Sequence, residues 1–218
     1  MRSEVVFRLG AALTERGWRW WDDINHETPS LVLSSSNGMV YSVGLVSQTM
    51  SERRVAFSPT LGVTHVEVSR LAAAFNGRPW RGAGDSSSLG VALSNLLHSA
   101  GFPASPYSRW MVNSESEVEH VSSVILEDLE LHGSDFWNGF LGLDDMISWM
   151  RGDKGYQALV GNLAIALALR GADEEAVVAL REYAAFATGL PEKMRDRTRV
   201  FLVSFSEHFE LGSNVCVA

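Results

Sequence analysis

Cysteine is almost missing from this chain: Cys216 stands alone near the end, so no intramolecular disulfide is possible and a disulfide-stapled secreted scaffold is excluded. A reducing, cytoplasmic setting is the expectation. Long apolar runs are missing too. The longest, residues 158–169, is interrupted by Gly161 and Asn162 and falls well short of the roughly 20 residues a membrane helix needs. The opening Met1-Arg2-Ser3-Glu4 lacks the apolar stretch of a signal peptide, so a soluble, unexported protein with no membrane partner is expected. Lysine is scarce, with Lys154 and Lys193 against 16 Arg. No His-x3-His or His-Glu-x2-His grouping occurs among the six histidines, which points away from a metal centre. No cofactor is expected.

The most informative absence is local. Between Trp110 and Met150 there are nine acids and neither Lys nor Arg. Residues 1–109 carry ten Arg and eight acids, a net of +2, whereas 110–218 carry eight Lys or Arg and 18 acids, a net of −10. Such a field repels nucleic acid and attracts a basic partner.

An apolar fraction of 46% at 218 residues is enough to bury a sizeable core in one larger or two small domains. Residues 30–57 alternate with the period of a strand: Leu31 and Leu33, then Met39, Tyr41, Val43 and Leu45 against Val40, Ser42 and Gly44. Asn37-Gly38 between them predicts a tight hairpin turn, and a third apolar run, Val55 to Phe57, completes a small antiparallel meander. Helices are expected to flank it. One spans 4–16 with Ser3 as N-cap and Gly17 after its end. After a turn at Pro59 to Gly62, Thr64 and Glu67 form a capping box that opens a helix ending before Gly77. A further helix runs from Leu89 to Ala100, capped within Ser86 to Ser88, and residues 107–113 form a strand or an extended link.

The second half predicts mainly helix. Ser114-Glu115-Ser116-Glu117 caps a helix whose Val118, Val121, Ile125 and Leu129 face inward and which stops at Gly133. Short pieces follow at 136–140 and 144–150, then three longer helices at 156–170, 173–188 and 192–210. The turn around Gly171 resembles that of a tetratricopeptide helix pair, but a single unit predicts a local hairpin and not an array. The fold class expected is α+β: a sheet-bearing lobe over 1–113 and a mainly helical lobe over 114–218 packed on it.

Candidate chemistry is thin. Gly82-Ala83-Gly84-Asp85-Ser86 lacks the Gly-Lys-Ser/Thr ending of a phosphate loop and the preceding strand of a hydrolase nucleophile. Asp22, Asp23 and His26 match no metal-ligand spacing. Arg53, Arg54, Arg78 and Arg81 with Trp80 make basic spots too small for a nucleic-acid platform. What remains is an acidic stretch bearing aromatics. Glu127, Asp128, Glu130, Asp135, Phe136, Trp137, Phe140, Asp144 and Asp145 have the composition of a partner-binding surface with aromatic anchors. The same rings also suit a plug between lobes.

The order of an N-terminal helix, a short meander, Leu61-Gly62-Val63 leading into a helix, an Arg109-Trp110 step and a charged helical tail resembles immunity proteins of bacterial polymorphic-toxin systems over residues 1 to about 130. That resemblance implies a small cytoplasmic inhibitor that binds its cognate toxin and has no catalysis of its own. It carries over no functional residue. A secretion chaperone or adaptor, and a hydrolase built from scattered residues such as His98, Asp85 and a serine, stand as the alternatives.

Overall fold

The computed structural model describes residues 1–21, 29–51, 54–82, 88–102, 106–152 and 157–211. In chain order the elements are α1 (Arg2–Glu15), β1 (Arg19–Trp20), β2 (Ser30–Ser34), β3 (Met39–Ser51), β4 (Arg54–His65), α2 (Val66–Phe75), β5 (Leu89–Ala92), α3 (Leu93–Ser99), α4 (Pro106–Arg109) and β6 (Met111–Val112). A 3-10 turn (Glu115–Glu117) then leads into α5 (Val118–Asp128), a π-helical turn (Leu129–Gly133), α6 (Ser134–Asn138), α7 (Leu143–Gly152), α8 (Gln157–Leu169), α9 (Asp173–Ala187) and α10 (Glu192–His208). The class is α+β, as the sequence indicates.

The six strands form one antiparallel sheet in the order β1-β2-β3-β4-β5, with β6 pairing β4 off that path. β2 and β3 pair in the register Leu31↔Val43 and Leu33↔Tyr41, so the alternation legible in the sequence is the alternation of the sheet. Their connection is looser than a two-residue hairpin. Gly38 alone takes a positive φ, of 79°, and the Asn37 side chain closes the loop by accepting the Met39 backbone N–H at 3.2 Å.

Several local expectations are corrected. α1 starts at Arg2, so Ser3 lies inside it and caps nothing. Pro59 to Gly62 is not a turn: the buried run through Phe57, Leu61 and Val63 continues β4, which has neighbouring strands on both edges, and tertiary pairing overrides the turn chemistry. Thr64 does not cap α2, whose Glu67 instead binds Arg70 one turn on. Leu89 to Ala92 joins the sheet as β5, leaving only Leu93 onward for the helix. Ser114 makes no side-chain cap, and Glu117 reaches back to the Asn113 N–H at 2.8 Å. Gly133 does not end α5; the helical backbone passes through it as a π turn and continues into α6. β1 is only two residues long, and the rings beside it part company: Trp18 is buried, and Trp20 is exposed with its ring laid on Gly10, where any side chain would collide. Asp22, Asp23, His26, Arg53, Asp85, Ser86 and Cys216 lie outside the described residues.

Packing divides the chain into two compact units, Met1–Thr64 with Gly90–Leu141, and His65–Leu89 with Gly142–Ala218. The stretch expected to open a separate helical lobe after residue 113 therefore packs with the sheet. α5 lies along α1 and presents Val118, Val121 and Ile125 to the core that also holds Val5, Leu9 and Leu13. Burial of that stripe is what commits the segment, since each such side chain contributes about 1.5–3 kcal/mol on removal from water.

In the second unit α8 packs against α2, α7 and α9. Ala164, Ile165, Ala166, Leu167 and Ala168 are all buried at successive positions, as a helix apolar on every face requires. α8 and α9 form the expected hairpin. Phe75 of α2 meets Phe201 and Phe205 of α10 edge-on, each at 5.6 Å between ring centroids. No helix among the described residues is long and apolar enough to cross a membrane.

Candidate functional site

The candidate residues fall on the helical run 118–138 of the first unit and on the start of α7 in the second. Three of them are interior. Asp128 ends α5 with only 3% of its surface exposed, and its carboxylate takes three charge-assisted or indole donors: Arg109 Nε at 2.8 Å and Nη2 at 3.0 Å, and Trp110 Nε1 at 2.8 Å. The fork geometry of arginine suits a carboxylate in this bidentate way. The hydrogen bond to Asp128 raises the Arg109 pKa above its ordinary value. Arg109 also lies 5.7 Å from the centre of the Phe102 ring, a cation–π distance.

Trp137 is the second interior residue, 8% exposed. Its ring rests on Gly133, four positions earlier, where an added Cβ would come within 3.0 Å of it. On its other sides it meets Trp18 at 4.8 Å and Tyr41 at 6.5 Å between centroids, both tilted. Phe140, the third, is buried and packs at 5.1 Å on half-buried Phe136. The β2–β3 hairpin holds this segment down: Tyr41 Oη donates to the Phe140 carbonyl at 2.9 Å, and Asn37 Nδ2 donates to the Leu141 carbonyl.

The expectation that Asp128, Trp137 and Phe140 belong to an open docking surface is therefore corrected, since all three are consumed by the interior of the first unit. So is the picture of a segment without cations. Arg16 at the end of α1 reaches Glu130 at 2.6 Å while also donating to the Ala12 carbonyl, and Arg109 serves Asp128. In the second unit Arg170 pairs with Asp144, and Asp145 accepts the Gly142 N–H at 3.1 Å at the mouth of α7. The neutralising arginines are distant in sequence, which is why a window of sequence does not show them.

Glu127 and Asp135 remain exposed on the helical run, together with Glu119, a residue the sequence did not single out. The first unit holds 13 acids against seven Arg. Among the described residues no three His, Cys, Asp or Glu side chains converge as a metal site would require. No protein-family model, no curated protein and no solved structure matches the chain.

Proposed function

We propose that this chain is a non-enzymatic binding protein whose first unit captures a basic protein partner, acting as a cytoplasmic inhibitor in the manner of an immunity protein. The observation that carries the reading is the charge distribution of the run 118–138. Its interior acid is spent on Arg109 and Trp110, while Glu119, Glu127 and Asp135 are left at the surface of a unit with a net charge of −6. A helix whose other face is locked into a core has its backbone fixed before any partner arrives, so only side-chain rotamers remain to be ordered on association. Their field raises the encounter rate of a positively charged protein.

The test is co-expression with the basic product of an adjacent gene in the source genome. Growth arrest by that product alone, relieved by this chain and not by a Glu119→Lys/Glu127→Lys/Asp135→Lys variant that still folds, is the expected result. Relief that the folded variant provides equally well overturns the reading.

A further inference from the structure

In the first unit β3 outruns its neighbour. β2 pairs with it only over residues 40–44, and the Leu45 N–H closes that ladder on the Pro29 carbonyl at 2.8 Å, yet β3 continues to Ser51. Backbone polar groups point to alternate sides along a strand. Leu45 shows that the odd-numbered residues face β2, and Gly44, whose carbonyl takes the Thr60 hydroxyl of β4 at 3.5 Å, shows that the even-numbered ones face β4. The N–H and C=O groups of Ser47, Thr49 and Ser51 are therefore directed at an edge that no other described strand occupies. Of residues 46–51, all but half-buried Ser47 are exposed.

An open strand edge is a template for a further strand, and monomeric proteins blunt it with charge, proline or a bulge. Val46-Ser47-Gln48-Thr49-Met50-Ser51 has no charge and no proline. The basic partner of the acidic surface would find no counter-charge here. What the edge does complement is itself. Val46 and Met50, 37% and 56% exposed, lie on one face of the strand, either side of Gln48. An antiparallel pair of copies related by a twofold axis at Gln48 sets Val46 of each opposite Met50 of the other and Gln48 opposite Gln48. The same register bonds the backbone groups of Ser47 and Thr49 across the seam and leaves 46, 48 and 50 as the close, non-hydrogen-bonded pairs, where side chains meet best.

We propose that two copies of this chain associate through residues 46–51 of β3, antiparallel and in register about Gln48, so that their sheets become continuous. The contact uses neither the acidic run nor a basic partner. Two such short strands make a small interface, so the dimer is weak and half-formed at on the order of 100 µM. Each copy carries a net charge of −8, so salt strengthens the dimer by screening their repulsion, the opposite of its effect on capture of a basic partner.

Sedimentation equilibrium of the full chain up to millimolar concentration, at low and at high salt, tests this. The expected result is a monomer–dimer equilibrium that tightens with salt. Thr49→Pro removes an N–H that faces only the open edge, a place where sheets tolerate proline, so the fold is kept while the association constant falls about tenfold or more. If that variant does not fold, Val46→Lys/Met50→Lys, which sets like charges opposite one another across the seam, replaces it. The register is read by disulfide trapping in a Cys216→Ser background. Position 48 meets itself at a Cα separation of about 4.5 Å, so Gln48→Cys chains should crosslink about tenfold faster or more than Met50→Cys chains. A monomer at every concentration, a dimer that a folded edge variant forms equally well, or equal crosslinking at positions 48 and 50 overturns the proposal.

Discussion

Trp110 and Asp128 are joined by a 2.8 Å hydrogen bond from the indole N–H to a carboxylate, between a side chain with no exposed surface and one almost as deeply buried. The bond ties the start of β6 to the end of α5. Asp128→Ala would leave that N–H unsatisfied and strip Arg109 of its partner. We expect a loss of about 3 kcal/mol, less than for a fully buried pair because Arg109 is 40% exposed and partly solvated. Trp110→Phe, which also opens a small void, is expected to cost about 2 kcal/mol. Urea unfolding of both variants measures this, and values within experimental error of the parent would show that the carboxylate is not structural.

Trp137 is expected to behave as a core residue. Trp137→Ala should lower stability by about 3–5 kcal/mol, and Gly133→Ala by about 1 kcal/mol because its methyl would press on the Trp137 ring and on Leu61. Thermal unfolding in parallel with binding separates the roles: an unchanged melting temperature for Trp137→Ala contradicts the interior assignment.

The strand alternation of 30–45, the inward stripe of α5 and the three C-terminal helices were legible because each is a short-range pattern with its own period. What the sequence hid is non-local. Leu89 to Ala92 has helical spacing yet becomes a strand because β4 offers it an edge, and Pro59 sits within β4 because the residues around it are wanted in the core. The acidic stretch was visible as a composition, but its sorting was not. Nothing near Asp128 or Glu130 in the chain announces Arg109 or Arg16, since those pairs span 19 and 114 positions. In the sequence the Arg109-Trp110 step stands only as part of a resemblance; in the fold both side chains are donors to Asp128.

Acidification should weaken the second unit. Half-buried His65 has an Nδ1 without a hydrogen-bond partner, and burial holds its pKa below the ordinary 6.5 although neighbouring Glu67 pulls the other way. Between the lowered folded value and 6.5 the unfolded chain binds the proton more strongly, so stability rises with pH there and is lost as pH falls below about 6.5. Glu67, lowered by its bond to Arg70, adds a smaller loss further down, below its ordinary 4.5, screened because both side chains are well exposed. His65→Gln should flatten the slope of stability between about pH 7 and pH 5.5. Melting temperatures across that range check it, and an identical slope in the variant would assign the dependence elsewhere.

The central claim is that an acidic surface steers a basic partner, and association kinetics test it most directly. With the basic product of the adjacent gene as analyte, the parent chain should associate fast at low salt and slow markedly as the Debye length shortens to about 8 Å near physiological ionic strength. Charge reversals at surface positions usually change stability by no more than about 0.5 kcal/mol, so Glu119→Lys/Glu127→Lys/Asp135→Lys should keep its fold. Its association rate at low salt should drop by about tenfold or more, with a flattened salt dependence and a dissociation rate little changed. An association rate that is independent of salt and equal in parent and folded variant would contradict the account.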